Sequence, residues 1–264
     1  MSDQKPSRRR LGWLLVPLLV VVATGAWFAL DPAFRLSRPS VDATAALPKD
    51  EFERRVRDYI LNNPEVIIEA ARRFEQGQRA VEESDATASL KARAEEIFRD
   101  SDSPVGGNPN GDVSLVEFFD YNCPYCRQVT PIMAEAESAD PQLRVVYKEF
   151  PILGPNSTFS AKAALAVRRQ GKYVAFHKEL MLDRGVAGEA KVLRIATKIG
   201  VDVERMKSDM NDPAIAAMIE RNLALAQALR INGTPGFVIG DQIVRGAVDL
   251  KTLQSLIQEA RGKQ

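Results

Sequence analysis

The chain has 264 residues, two cysteines, one histidine and a formal net charge of +1. That near-neutral balance argues against nucleic acid as a partner, and two cysteines are too few to frame a disulfide-stabilised miniature domain. With 45% hydrophobic and 27% charged residues, the core must come from apolar burial, in one sizeable domain plus an accessory segment.

Residues 1–10 are basic, ending in Arg8, Arg9 and Arg10, and "LGWLLVPLLVVVATGAWFAL" follows over residues 11–30 without a charge. A helix needs roughly 20 apolar residues to cross a bilayer, and this run just suffices even with Pro17 inside it. Positive residues on its N-terminal side predict a cytoplasmic start, a transmembrane signal-anchor over 11–30 and export of everything beyond. A cleaved signal peptide is the alternative, and it delivers the rest of the chain to the same side. Either outcome places both cysteines where disulfides persist.

Residues 31–47 read as a linker containing Pro32 and Pro39. Residues 48–100 read as helical. Phe52, Val56, Tyr59 and Ile60 recur at helical spacing, a second helix starts at Pro64, and a third stretch covers 87–98. This segment has too few apolar anchors to fold alone. It is either a solvated spacer or a surface for self-association through Phe52, Val56, Ile60, Val66, Ile67 and Ile68.

Residues 101–264 form the main domain. "DSDSPVGGNPNGD" (100–112) reads as a linker or turn region. "VSLVEFF" (113–119) reads as a buried strand, 123–139 as a helix with Pro131 inside, and "LRVVYKEF" (143–150) as a second strand. Residues from about 157 to 230 are almost entirely helical in pattern. "GFVIG" and "QIVRGA" then predict two strands around a tight turn, and a last helix starts at Asp249 as N-cap. The order predicts an α/β sheet of a few strands flanked by helices, with a helical insertion.

The only cysteines, Cys123 and Cys126, lie in "NCPYC", directly behind the first strand. A structural disulfide across two residues closes a tiny loop and removes little unfolded-state entropy. A zinc half-site needs two more ligands, and the chain offers one histidine and no further cysteine. Copper(I) held between chains suits soft thiolates and stays open. A redox pair fits best. Cys123 sits at the helix start, with Pro124 at the first helical position, where unpaired N–H groups favour a thiolate. Cys126 lies one turn deeper. The spacing therefore predicts Cys123 as accessible nucleophile and Cys126 as resolving thiol.

The strand–CPYC–helix unit, the helical insertion and "NGTPGFVIG" together resemble the thioredoxin-fold DsbA family over roughly 103–261. That resemblance implies a thioredoxin-like fold, thiol–disulfide oxidoreductase activity in the periplasm, no cofactor and no metal. It implies that Thr234–Pro235 is a cis-proline loop facing the CxxC pair, with Thr234 free to pair with an extended client strand. It also implies that Glu117, six positions before Cys123, is a buried acid moving protons at the inner thiol; Lys148 is the expected partner across the sheet. Two positions depart from the strongest oxidants of the family: Pro124–Tyr125 replaces Pro–His, and Thr234 replaces the usual Val. "YILNNPEVIIEA" resembles the N-terminal domain of ScsC-like proteins, some of which oligomerise and act as isomerases. His177 stands alone and reads as a helix-surface or core residue.

The expected partners are exported proteins with thiols or disulfides, a membrane redox protein that resets the pair, and a second copy of the chain. Isomerase or reductase is favoured over oxidase. A Cu(I)-binding copper-tolerance protein and a non-catalytic thioredoxin-like binding module are the alternatives.

Overall fold

Val113 to Phe119 alternates little in polarity because both sides of this strand are buried; only Ser114 reaches partial exposure. In the computed structural model, which describes residues 48–263, this strand is β2, at the centre of a five-stranded sheet ordered β1–β3–β2–β4–β5. The flanking strands are β1 (Val105–Gly107), β3 (Leu143–Glu149), β4 (Gly236–Ile239) and β5 (Gln242–Arg245). β2 and β3 run parallel, joined through helix α3 (Pro124–Ala139); the other pairings are antiparallel. This is the thioredoxin-like α/β arrangement expected from the sequence. The signal-anchor and linker expected over 11–47 lie outside the described residues. Among the described residues no helix is long and apolar enough to cross a membrane.

Successive strand residues point to opposite faces. One face of the sheet carries Leu115, Phe119, Val145, Tyr147 and Phe237, packed under α3 and helix α9 (Leu250–Gly262). The opposite face carries Val116, Phe118, Val146 and Val238, covered by Leu90, Ile97, Leu225 and Leu229. Phe118 is fully buried there and meets Phe150 edge-on, with ring centroids 6.2 Å apart.

The helical insertion consists of α4 (Pro155–Arg168), α5 (Tyr173–Leu182), α6 (Glu189–Lys198), α7 (Val203–Asp209) and α8 (Pro213–Ala228). Aspartates start three of the domain's helices: Asp202, Asp212 and Asp249 each accept a backbone N–H of the first turn. Such caps satisfy amides that have no partner within the helix.

Two expectations change. The stretch 100–112 is no plain linker, because β1 forms inside it as an edge strand antiparallel to β3. Three residues with two glycines give no periodic signal, so only pairing reveals the strand. Gly107 takes a left-handed φ of 62°, and a Cβ there would lie 2.4 Å from the Leu143 carbonyl oxygen, so the close approach requires glycine.

The helices before the domain also differ. Helix α1 covers Lys49–Asn62, and α2 runs unbroken from Glu65 to Ala92, merging most of the two stretches read separately, before a π-helical turn at Glu95–Arg99. The chain divides into two compact units at Ala71/Arg72. Burial of Ala86, Leu90 and Ile97 ties 72–99 into the second unit. Within the first unit α1 buries no residue and exposes Phe52, Val56, Tyr59 and Leu61.

Candidate active site at the start of α3

β2 ends at Phe119, and the turn Asp120–Asn122 delivers the chain to Cys123, the N-cap of α3 with extended backbone (φ −78°, ψ 120°). Pro124 opens the helix, where its missing N–H costs nothing. The turn is fixed by Asp120. Its Oδ1 accepts from Asn122 N at 2.7 Å and Ser157 Oγ at 2.7 Å, and its Oδ2 accepts from Ile152 N and Leu153 N, each at 2.9 Å. Arg127 reaches back from α3 and donates twice to the Tyr121 carbonyl. Thus one carboxylate and one guanidinium hold both strand-to-helix loops at the site.

The Thr234–Pro235 peptide bond is cis, and its loop approaches from the other end of the domain's sequence. Cys123 Sγ–H donates to the Thr234 carbonyl oxygen at 3.2 Å. Both cysteines are free thiols. Cys123 keeps only 4% exposure, narrower access than the sequence suggested, while Cys126 keeps none.

The two thiols are driven apart. Cys123 is lowered to about 5, first by a hydrogen bond from Cys126, against opposing desolvation, and then by the Thr234 side chain and the N–H groups of Cys126 and Tyr125. Cys126 is pushed far up, chiefly by burial, then by donating to Cys123 and by the nearby Glu117 charge. An outer sulfur that ionises readily therefore sits against an inner sulfur that keeps its proton.

Glu117 is 2% exposed, and its carboxyl is raised to about 8 by burial and by the charge of Cys123. Its charge interacts with both cysteines, so it lies close to the pair. Lys148 is not its partner, contrary to the sequence expectation. Glu117 is in register with Tyr147 and Lys148 with Phe118, so strand alternation sends the lysine to the opposite face. There Lys148 Nζ donates to the Glu96 carbonyl at 2.8 Å and Asp100 Oδ2 at 3.1 Å, tying the π-helical turn to the sheet.

Cys123, Pro124, Tyr125, Cys126, Glu117, Thr234 and Pro235 come together; Lys148 does not. Beside Pro124 an open cleft of about 420 Å³ is lined by Asn122, Arg127, Leu153, Asn156 and Val186. Tyr125 (60%), Leu153 (50%) and Val186 (64%) expose apolar surface around the buried sulfur. Among the described residues no cluster of three or more His, Cys, Asp or Glu side chains could hold a metal ion.

Sequence reasoning missed a second buried acid. Glu149 Oε1 accepts from Tyr173 at 2.7 Å and Tyr121 at 3.1 Å, and Tyr121 also meets His177 Nδ1 at 3.3 Å. Burial raises Glu149 well above the usual carboxylate range. The signal available was weak, since Glu149 ends a strand that also carries Arg144 and Lys148. His177 is buried, one of the two outcomes the sequence left open, and burial followed by Lys178 lowers it to about 3, so it is neutral.

A parallel-centred sheet with a dithiol at a helix start, faced by a cis-proline loop, defines a thioredoxin-like redox domain. The chain belongs to the family of DSBA-like thioredoxin domains, thiol–disulfide oxidoreductases, which match residues 114–258. The N-terminal domain of the copper resistance protein ScsC matches residues 49–80. A thioredoxin-like oxidoreductase from Silicibacter pomeroyi DSS-3 is 50% identical, over 64% of this chain and 97% of that one, with a TM-score of 0.63. The catalytic domain of Proteus mirabilis ScsC is 29% identical, over 67% of this chain and 98% of that one, with a TM-score of 0.61. A Na(+)/H(+) antiporter NhaA from Salinispora tropica is 27% identical over 59% of this chain, which spans only 24% of that relative. The chain thus spans about a quarter of the length of the antiporter relatives it matches.

Proposed function

We propose that this chain exchanges thiols and disulfides on exported proteins, with Cys123 as nucleophile and Cys126 as resolving thiol. The observation that carries this reading is the placement of Cys123 at the N-cap of α3, its sulfur 3.2 Å from the Thr234 carbonyl of the cis-proline loop, with Cys126 fully buried one turn deeper; the opposed ionisation of the two sulfurs agrees with it. The Cys123 thiolate attacks a client disulfide, forming a mixed disulfide and releasing one client thiolate. Cys126 then gives up its proton to Glu117 and attacks Cys123 Sγ, closing the Cys123–Cys126 disulfide and releasing the second client sulfur. Run backwards, the same steps oxidise a client. Thr234 and Pro235 line the approach, and Pro124 and Tyr125 shape the rim.

Isomerase or reductase is favoured over oxidase. Thr234 before Pro235 supports this, as does the apolar row Phe52, Val56 and Ile60 on the ScsC-like segment, which suits contact with a second copy of the chain. Joined copies shield their thiols from an oxidising membrane partner. Residues 11–30 serve as a single-pass inner-membrane anchor, or as a cleaved signal, with the redox domain in the periplasm.

The test is a Cys126→Ala variant incubated with a disulfide peptide. A mixed disulfide at Cys123, seen by mass spectrometry, is the expected result; none would overturn the reading. The redox state of the pair in cells separates the directions: mostly reduced for an isomerase, mostly oxidised for an oxidase. The copper-resistance match over 49–80 favours a second reading, Cu(I) held by the two sulfurs. Titration of reduced protein with Cu(I) against a competitor tests it; stoichiometric binding without client exchange would make it the principal role.

A further inference from the structure

The cleft beside Pro124, at about 420 Å³, has room for a whole side chain. None of its walls comes from the Thr234–Pro235 loop, so it is a second surface next to Cys123. Leu153 and Val186 are its exposed apolar sides. Arg127 is its single ionisable wall.

Arg127 is held in place from within the domain. Its Nε and Nη2 donate to the Tyr121 carbonyl at 3.0 and 2.8 Å. A guanidinium carries five N–H groups in a planar fork. The edge formed by its two terminal nitrogens is therefore still unused, and among the described residues no other acceptor meets it. That edge matches the two oxygens of a carboxylate. A side chain fixed beforehand loses little further freedom when a ligand binds.

The acids of the adjoining loops are engaged elsewhere. Asp120 is buried, and its two oxygens already hold four donors. Asp183, just before Gly185 and Val186, lies 3.2 Å from Lys191 and also pairs with Arg194, while Arg184 beside it is exposed. The other polar walls differ in what they can offer. Asn122 donates to Ser157 Oγ at 3.1 Å and accepts from Ala187 N at 2.8 Å, so its amide is committed to the fold. Pro124 and Pro155 have no N–H. Asn156 is exposed, and among the described residues its side-chain amide has no hydrogen-bond partner. It stands in the first turn of α4, as Pro124 does in that of α3, and both helix starts add a field that favours negative charge.

We propose that this cleft is a specificity pocket for clients that carry an acidic residue next to the reactive cysteine. The client carboxylate lies across the free edge of Arg127, Asn156 donates beside it, and the methylene stem packs on Leu153 and Val186. The proposal rests on the exchange reading above and deepens it. Cys123 and the Thr234–Pro235 loop take the client cysteine and its backbone; the cleft selects the neighbouring side chain. The exchange itself is unchanged: Cys123 Sγ bonds one client sulfur, and the other leaves as thiolate with the electron pair of the broken S–S bond.

The test uses the full chain with Cys126→Ala, which stops at the mixed disulfide. Symmetric disulfides of one short peptide carry Glu, Gln or Lys on both sides of the cysteine. Mixed-disulfide formation at Cys123 is timed by acid quench and mass spectrometry. Each rate is divided by that of the same peptide with a small neutral thiol, which removes the intrinsic effect of charge on the disulfide. The Glu peptide should react about three to ten times faster than the Lys peptide, with Gln between them, and high salt should shrink the ratio. In Arg127→Gln the ratio should fall to about one. Asn156→Asp leaves the Arg127–Tyr121 contact in place and should lower the ratio by adding a like charge to the cleft. Because each variant is compared with itself, a general loss of reactivity does not imitate the result. A parent ratio of one or below, or a ratio unchanged in either variant, would overturn the pocket. Failure of the parent to form a mixed disulfide with any peptide would instead overturn the exchange reading, and the pocket with it.

Discussion

Cys123 Sγ lies 3.2 Å from the carbonyl oxygen of Thr234, a residue 111 positions away. The contact joins the start of α3 to the loop before β4, so the thiol and the backbone available to an extended client occupy one place. The Thr234 side chain is also among the groups that lower Cys123.

Thr234→Val keeps the shape and removes the hydroxyl. The Cys123 midpoint, read from the pH dependence of iodoacetamide alkylation, should rise above about 5. Loss of thiolate stabilisation also makes the disulfide less oxidising, so the equilibrium with glutathione should move toward the disulfide. An unchanged midpoint would remove Thr234 from the account of the thiol.

Glu117→Gln should stabilise the reduced protein near pH 8. Burial and the charge of Cys123 raise the folded carboxyl to about 8, against an ordinary value of 4.5 in the unfolded chain. Below 4.5 both states hold the proton and the neutral acid is well tolerated. From 4.5 upward only the unfolded chain loses it, so the parent loses stability until the folded group ionises near 8. The gain on substitution should therefore be near zero in acid and grow to about 2–4 kcal/mol at pH 8. Urea unfolding of both proteins across that range measures it, and the difference cancels the opposite slope contributed by Cys123. A gain independent of pH would contradict the raised carboxyl.

Lys148→Met should separate stability from redox chemistry. Lys148 is 1% exposed and pairs with Asp100, which is 20% exposed. Removing the cation strands a half-buried carboxylate and should cost about 2–4 kcal/mol in urea unfolding. Because the lysine sits on the face away from the cysteines, the Cys123 alkylation midpoint should not move. A shifted midpoint would restore Lys148 to the site.

Tyr121→Phe and Tyr173→Phe each take one donor from the buried Glu149 carboxyl. Each should cost about 1–3 kcal/mol, and the double variant should depart from additivity because both act on one oxygen. Thermal unfolding in a double-mutant cycle reads the coupling. Independent, additive losses would show that the carboxyl does not bind the two phenols together.

The strand–helix–strand order, the helical insertion and the position of Cys123 at a helix start were all legible, because each leaves a local pattern of apolar period, proline and cap. Glu117 was legible as an acid in a buried strand. Its partner was not: Lys148 was a reasonable choice on proximity alone, but the parallel register put it on the other face. β1 was invisible because a strand of Val105–Gly107 carries no period and exists by pairing with β3. The division into two compact units has a related reason. Helicity runs on through α2, and only burial of Ala86, Leu90 and Ile97 marks where the second unit begins.

The sequence by itself determined the element order and the two sulfurs' places on α3, since spacing along a helix is set by its 3.6-residue turn. Only the tertiary structure decided which groups meet across the chain: Thr234 against Cys123, Glu117 close to the cysteine pair, and Glu149 between Tyr121 and Tyr173. Charge interactions fall with distance in space, not in sequence, so the ionisation that makes two thiols unequal is a property of the folded arrangement.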